Sequence, residues 1–451
     1  MRQRWIFPLV PVVLVAFSGL SGPTAVQTSP AAGSEKKAGA APTDDIESNS
    51  QRMLKEGRET FRYDTFGSEA FWATTRLHEA ILGEKQGGVG PGLKAADALK
   101  VGLKVDVERL PKSVVDGLKN GTVSLDKPET TLALLQADAV IGVKAIVDKD
   151  LKKVTGIGIR CAFCHSTVDD SFAKGVGRRR DGWPNRDLDV GAIVAMAPNL
   201  KPFQDLLGVD EATVKKVLMA WGPGKYDAEL DQDGKGLRPD GKSAATLIPA
   251  AFGLAGVNLH TYNGWGSVPY WNAYVAITQM HGKGTFFDPR IQKNPEQYPV
   301  GSKAGFGNVR NTPDLVSGKL AALHYYQLAI PAPKPKNDSY DGPAAQRGRL
   351  MFEGKGRCAS CHVPPLFIEP GWSMHTGEEI GIDDFQASRS PDKKFYRTTP
   401  LAGLFARAKG GFYHDGRFAD YRAVVEHYDR HFGLRLSDQE KGELIEYLKS
   451  L

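Results

Sequence analysis

Two five-residue segments place two thiols and an imidazole at a spacing that suits one kind of chemistry. They are Cys161-Ala-Phe-Cys164-His165 and Cys358-Ala-Ser-Cys361-His362. Thiols three positions apart can reach the two vinyl groups of one haem, and the histidine that follows is then placed beneath the iron as an axial ligand. The sequence therefore predicts two covalently bound haem c groups, with His165 and His362 as iron ligands.

Other uses of paired cysteines explain these segments less well. All four cysteines of the chain lie in them, and an exported protein with four cysteines would by default form two disulfides. A thiol redox pair needs no histidine after it, and a zinc site built from both pairs would leave the repeated histidine unexplained.

The N-terminus has the three-part layout of a secretory signal. A basic start is followed by an apolar run from Trp5 to Phe17 and then by small residues. The run contains two prolines and is shorter than the roughly 20 residues that span a bilayer. We predict a signal peptide over residues 1–26, a periplasmic or secreted location, and no stable membrane anchor after signal removal.

Charge excludes one class of partner. The formal net charge is +6 over 451 residues, and the only tight basic run is Arg178-Arg179-Arg180, so nucleic acid is not an expected partner. The predicted partners are instead a redox partner protein or a small-molecule oxidant, peroxide or oxygen.

Composition along the chain suggests two haem units. Residues 27–50 lack apolar periodicity and are predicted to be a flexible linker, and a proline-rich polar segment begins at Pro331. We predict an N-terminal haem domain over 51–335 and a C-terminal cytochrome c domain over 336–451. The expected fold is mainly α, with the N-terminal domain enlarged by long loop-rich insertions.

Short internal matches suggest that the two units share one plan. The segment ending in Phe61 resembles the one ending in Phe352, and Lys319 to Leu328 resembles the C-terminal segment. That last segment predicts a helix, because Ser437 and Glu440 form a capping box before an apolar stripe.

The sixth ligand of each iron decides the function, because an iron with two protein ligands carries electrons and one with an open face can bind oxygen or peroxide. For the second haem we favour His427, which lies in a segment with apolar residues at helical spacing. Its rivals are His414, Met374 and His375.

The first haem is predicted to have an open face. When the halves are superposed on the turn glycines Gly264 and Gly416, the position that matches His427 is Val275, which cannot bind iron. The expected neighbours of that face are Tyr270, Trp271, Tyr274 and Phe286-Phe287. Met280 or His281 would close it.

Two further segments are ambiguous. The acidic segment from Glu229 to Gly234, with Asp231, Asp233 and Asp240, imitates the order of a calcium loop, but a solvated loop is favoured over calcium. Some arginines follow the first haem motif closely enough to pair with haem propionates, or they form a basic loop in water. These are Arg178, Arg179, Arg180 and Arg186.

The chain resembles the bacterial dihaem peroxidase superfamily, which includes cytochrome c peroxidases, MauG-type enzymes and rubber oxygenases. The resemblance rests on the paired haem motifs, Thr398-Thr399-Pro400-Leu401, Tyr413-His414-Asp415-Gly416 and the segment Ala423 to His427. It implies a methionine ligand where this chain has His427, so bis-histidine coordination of the rubber oxygenase kind is expected.

These features predict a haem-dependent oxidoreductase of peroxidase or oxygenase type. The first haem would bind peroxide or oxygen, and the second would relay or store electrons. The alternative is a non-catalytic electron-transfer protein in which both irons are six-coordinate.

Overall fold

The computed structural model describes residues 42–148 and 153–451. The predicted signal peptide lies outside this part, and the helix Pro42–Tyr63 begins inside the predicted linker. Contacts group residues 47–451 into one unit, and the predicted border between residues 335 and 336 falls within it. In the described part of the chain no helix is long and apolar enough to cross a membrane.

Helices form most of the regular structure. The α-helices are Pro42–Tyr63, Glu69–Thr75, Leu77–Leu82, Ala95–Lys100, Lys112–Lys119, Pro128–Gln136, Ala162–His165, Val190–Ala195, Lys201–Leu207, Glu211–Trp221, Leu230–Asp233, Val268–Tyr274, Pro289–Gln292, Pro299–Lys303, Leu320–Ala329, Gly342–Glu353, Gly377–Ile380, Tyr421–Phe432 and Asp438–Lys449. A five-residue π-helix, Val275–Gln279, continues the helix that ends at Tyr274.

The strands are short and form only two-stranded sheets within the described residues. They are Val105–Asp106, Val143–Asp148, Lys153–Ile159, Ser166–Val168, Val176–Gly177, Arg179–Asp181, Lys225–Tyr226, Thr246–Leu247, Thr285–Phe287, Asn308–Arg310, Met374–Thr376 and Phe395–Arg397. The longest pair joins Val143–Asp148 to Lys153–Ile159 in antiparallel register. The fold is therefore mixed, with more strand pairing than the predicted mainly α fold.

The C-terminal part closes with a helix crossing that depends on a glycine. Gly348 lies so close to the helix Asp438–Lys449 that a Cβ atom would collide with the carbonyl oxygen of Glu443. Phe352, one turn later, is fully buried. The capping box predicted for the last helix is confirmed, because the Ser437 hydroxyl accepts from the N–H of Glu440 and the Glu440 carboxylate accepts from that of Ser437.

The N-terminal part contains the same crossing. A Cβ atom on Gly57 would collide with the carbonyl oxygen of Ala322, which lies in the helix Leu320–Ala329. Phe61, four residues after this glycine, is fully buried, as Phe352 is. The matching segments of the two units thus form the same packing arrangement. In each, a glycine allows two helices to come into contact, and a buried phenylalanine packs beneath the crossing.

A buried ion pair joins the two parts of the chain that carry the haem motifs. The guanidinium of Arg389 is inaccessible to solvent and lies 2.8 Å from a carboxylate oxygen of Asp227 and 2.8 Å from one of Asp233. It also donates to the carbonyl oxygen of Ala244. Arg389 and Asp233 are 156 residues apart in the sequence, so this ion pair fixes a segment of the N-terminal part against a distant part of the chain.

Replacing Arg389 with methionine is expected to lower the free energy of unfolding by about 3–5 kcal/mol, because two buried carboxylates lose their cation. The matched control is Arg349→Met, which removes an exposed pair with Glu353 and should change stability by less than about 1 kcal/mol. Thermal and denaturant unfolding of the two variants measures the difference. Equal losses would mean that the buried pair is not a structural support.

Candidate functional site

The first haem motif forms one wall of a cavity of about 300 Å³. His165 lies at the end of the short helix Ala162–His165, and its Nδ1 is 3.1 Å from the carbonyl oxygen of Pro249. A carbonyl oxygen only accepts, so Nδ1 carries the hydrogen and the lone pair of Nε2 is free to bind a metal. Burial lowers the pKa of His165 to about 4, which keeps the imidazole neutral.

The second motif lines a separate cavity of about 440 Å³ in the same manner. Nδ1 of His362 is 3.0 Å from the carbonyl oxygen of Phe367, which again leaves the Nε2 lone pair free. Burial lowers the pKa of this histidine as well. Both imidazoles are thus oriented and protonated as iron ligands need to be.

The four cysteines are free thiols that are not prepared for redox exchange. Burial raises the pKa of Cys161, Cys164 and Cys358 to about 12, whereas a reactive cysteine pair has a lowered pKa. Both pairs lie in cavity walls, as covalent attachment of a haem requires.

Three arginines meet beside the second cavity without an anionic partner. Each of Arg186, Arg397 and Arg407 has at least one buried guanidinium nitrogen without a hydrogen-bond partner. Other nitrogens of Arg397 and Arg407 donate to backbone carbonyl oxygens, and in the described chain no carboxylate acts on the three guanidinium groups. Burial, together with the charges of Arg397 and Arg186, lowers the pKa of Arg407 to about 10. Such a cluster needs an anion, and the propionates of a haem would supply one.

Of the four arginines that the sequence suggested for this role, only Arg186 lines either cavity. The other three have partners elsewhere: Arg178 with Glu108, Arg179 with Asp106 and Arg180 with the ring of Trp183. Arg397 and Arg407 were missed because they lie more than 200 residues along the chain from Arg186 and no local pattern marks them.

The predicted ligand His427 does not line the second cavity. Its Nε2 is 2.8 Å from the carbonyl oxygen of Ile380, so that nitrogen carries a hydrogen and has no lone pair to offer. The next residue, Tyr428, does line the cavity, and burial raises the pKa of its phenol to about 12.

Helix register explains the one-residue difference. Asp420 caps the helix Tyr421–Phe432, and the equivalent first-half helix begins after Ser267. Counted from these caps, the residue that matches Val275 is Tyr428, and the residue that matches His427 is Tyr274. The turn glycines mislead because Gly416 precedes its cap by four residues and Gly264 by three.

The rivals for the second iron differ in position. His414 lines the second cavity, is 3% exposed and stacks on Tyr396. His375 also lines it, but its Nε2 is already 2.5 Å from a carboxylate oxygen of Glu369. Met374 does not line it. Tyr428 and His414 therefore remain as candidate ligands in the wall of this cavity.

In the first cavity, the wall formed by the π-helix offers no ligand at the matching position. Val275 and Ala276 line the cavity there, followed by Met280 and His281. The His281 ring stacks on Phe71 with 3.4 Å between ring centroids, and burial lowers its pKa to about 3. A π-helix is a frequent feature of functional sites.

Most of the predicted aromatic neighbours are core residues. Trp271 lines the first cavity. Tyr270 and Tyr274 instead each pack against Phe286, with 5.2 Å between ring centroids in both pairs. Phe287 is 57% exposed. Tyr262, which the sequence did not single out, lines both cavities.

The acidic segment is not the solvated loop that the sequence predicted. Glu229 is 1% exposed and Asp233 is 5% exposed, and residues 230–233 form a helical turn. Asp227, Glu229 and Asp231 line the first cavity, while Asp240 is exposed and binds the N–H of Lys242. The only compact group of three possible metal ligands in residues 42–148 and 153–451 lies elsewhere, at Cys361, Glu369 and His375.

The residues present fit two haem groups. Each cavity has a pair of cysteines, a neutral histidine with a free Nε2 and largely apolar walls, and three unpaired arginines lie beside the second. Thiol and imidazole donors in a largely apolar cavity are a donor set that suits haem.

The chain has a recognisable relative. It is 26% identical over 130 residues to methylamine utilization protein MauG of Methylorubrum extorquens, a match that covers 26% of this chain and 36% of MauG. This similarity supports a relationship to MauG-like proteins. The chain thus spans little more than a third of the length of the curated relative it matches, and no protein family model matches it.

Two solved structures also align with the chain. Hydrazine synthase of Kuenenia stuttgartiensis is 20% identical, covering 48% of this chain and 77% of that chain with a TM-score of 0.27. A MauG-like protein associated with microbial copper homeostasis is 18% identical, covering 50% and 80% with a TM-score of 0.28. At these TM-scores the alignments carry no argument about the fold.

Asp231 should make stability depend on pH in a defined direction. Burial raises its pKa to about 7 in the folded protein, so folding is disfavoured as pH rises from about 4 to about 7. Asp231→Asn keeps an acceptor for the Tyr274 hydroxyl without the charge. We expect it to match the wild type at acid pH and to be more stable by roughly 2 kcal/mol near pH 8.

Asp314→Asn is the matched control with the opposite sign. Although burial raises the pKa of Asp314, hydrogen bonds from Ser317 and Val316 hold it well below its usual range. This variant should be less stable than the wild type near neutrality, and the difference should vanish in acid. Melting temperatures across the pH range measure both variants, and a constant offset for Asp231→Asn would contradict the assignment.

Proposed function

We propose that this chain is an exported c-type cytochrome oxidoreductase with two haems. The first site would bind peroxide or oxygen, and the second would relay or store electrons. With an open axial face, haem iron binds oxygen or peroxide and exchanges electrons with them. The similarity to MauG supports a haem-dependent redox function in general terms.

One observation carries the proposal: the two cavities differ at the lining residue that has the same position relative to the helix cap. The second cavity has Tyr428, whose phenol oxygen can bind iron, and the first has Val275, which cannot. Because the two positions have the same helix register, the difference lies in the side chain. We infer an open face at the first iron and a closed one at the second.

The remaining residues would hold and orient the two groups. Cys161 and Cys164 would tether the first haem and His165 would bind its iron, and Cys358, Cys361 and His362 would do the same for the second. Arg186, Arg397 and Arg407 would neutralise propionates at the second site. Two cytochrome c-like domains, each closed by the glycine-dependent helix crossing, are the arrangement we infer for residues 51–335 and 336–451.

A specific observation favours the second candidate function, a non-catalytic electron carrier. His281 lines the first cavity two positions beyond the π-helix and has a neutral imidazole. If its nitrogen binds the first iron, both irons are six-coordinate and no site remains for peroxide or oxygen.

The number of haems follows from mass spectrometry of the denatured protein. The wild type should retain two covalent haem groups. The paired substitution Cys161→Ser and Cys164→Ser should leave one, and so should Cys358→Ser with Cys361→Ser. Two haems remaining in either double variant, or none in the wild type, would refute c-type attachment at these motifs.

Electron paramagnetic resonance of the resting ferric protein tests the ligands. We expect one high-spin signal from the first iron and one low-spin signal from the second. Tyr428→Phe should alter only the low-spin signal, whereas His427→Ala should leave both signals unchanged because that side chain lies outside the cavity. His414→Ala tests a second candidate in the wall of this cavity, and loss of the low-spin signal in that variant would make His414 the ligand.

Two results would overturn these assignments. Two low-spin signals in the wild type, with one becoming high-spin in His281→Ala, would establish the carrier and exclude the open face. A low-spin signal lost in His427→Ala but kept in Tyr428→Phe would return the second iron to histidine ligation.

A further inference from the structure

Three carboxylates face the first cavity, each with one paired and one unpaired oxygen. The paired oxygens belong to Asp227, bound by Arg389 at 2.8 Å, to Glu229, bound by the Gln386 amide at 2.9 Å, and to Asp231, bound by the Tyr274 hydroxyl at 3.0 Å. The second oxygen of each is buried and has no hydrogen-bond partner among the described residues. We call Asp227, Glu229 and Asp231 the acidic trio.

The trio has too little positive charge around it to be fully ionised. Arg389 is its only ion-pair partner in the described chain, and Arg389 also binds Asp233. An isolated carboxylate in a site of low dielectric constant is costly, and it takes up a proton instead of remaining charged. The unpaired oxygens are where such protons would be held.

The groups that face the trio from neighbouring elements are few. They are Asp233 and Arg389 and the phenols of Tyr226, Tyr274 and Tyr298. Elsewhere the wall of the same cavity carries Arg160, His165, His260, Tyr262, His281 and Arg397. Burial raises the pKa of Tyr226, Tyr274 and Tyr298 and lowers that of His165, His260 and His281, so these six side chains stay neutral near pH 7. The trio is then the group on this wall that titrates near neutrality, since burial raises the pKa of Asp227 and Asp231 to about 7.

We propose that the acidic trio is a proton store for the first haem site, which takes up a proton when that site gains an electron and releases it when the electron leaves. The proposal rests on the proposed function, because it requires a haem at His165. The physical cause is Coulombic: one added electron in a poorly screened cavity favours the neutral form of a carboxylate that lines it.

The step balances in both charge and atoms. One electron from a donor, in the experiment a soluble redox mediator, reduces ferric to ferrous iron, and one proton from water converts a carboxylate of the trio to a carboxylic acid. The net charge of the cavity stays constant. Oxidation of the iron returns the proton to water.

Spectroelectrochemical titration of the full-length protein with both haems tests this coupling. The midpoint potential of the first haem should fall as pH rises through neutrality, by at most about 59 mV for each tenfold fall in proton activity. The variant Cys358→Ser with Cys361→Ser, which keeps only the first haem, assigns the potentials. The second haem serves as an internal control.

Asp231→Asn should reduce the pH dependence of the first potential by about half or more and leave that of the second haem unchanged. Asp231→Glu should restore it, and Glu229→Gln supplies a second test should the first variant fold poorly. The matched control is Asp205→Asn, which alters an exposed carboxylate outside the cavity and should keep the full pH dependence.

Three results would overturn the proton store: a first potential independent of pH in the wild type, an unchanged pH dependence in both Asp231→Asn and Glu229→Gln, or one divalent cation per chain that Asp231→Asn loses in elemental analysis. The proposal of an open face at the first iron is tested separately, because two low-spin signals in electron paramagnetic resonance would contradict it. If the first potential depends on pH and the trio variants reduce that dependence, the proton store is supported whether the first iron has an open face or is bound by His281.

Discussion

The buried charge of Arg389 is the constraint on which the first site depends. A guanidinium without access to water must have anionic partners, and Asp227 and Asp233 provide them. Because these carboxylates belong to the acidic segment, the same ion pair fixes the wall of the first cavity. It also links this wall to the part of the chain that carries the second haem motif.

That constraint leaves an excess of negative charge. Arg389 cannot neutralise every carboxylate near it, so Glu229 and Asp231 depend on neutral donors for one oxygen each. The opposite imbalance exists beside the second cavity, where Arg186, Arg397 and Arg407 lack carboxylates. Unpaired charge in a buried region is destabilising, and bound anionic groups at one region and protons at the other would compensate for it.

The two sites share one scaffold and differ in detail. In each half a glycine permits a close helix crossing and a buried phenylalanine fills the space beneath it. In each half a backbone carbonyl holds Nδ1 of the motif histidine. The difference between Val275 and Tyr428 is therefore a change of side chain on a common framework, and such a change can separate a binding site from a relay.

The sequence by itself determined the features that depend on local spacing. The haem motifs, the capping box at Ser437 and the order of repeated segments are all encoded within a few residues. Local pattern also located the helix that contains His427, but a choice between adjacent residues needs its register. Neighbouring side chains on a helix point about 100° apart, so Tyr428 lines the second cavity and His427 does not.

Tertiary structure decided everything that depends on distant partners. An acidic segment with the spacing of a solvated loop is buried because Arg389 reaches it from far along the chain. Arg186 meets Arg397 and Arg407 only after folding. Burial, unpaired oxygens and shifted pKa values arise from contacts between remote segments, and no local pattern in a single sequence records those contacts.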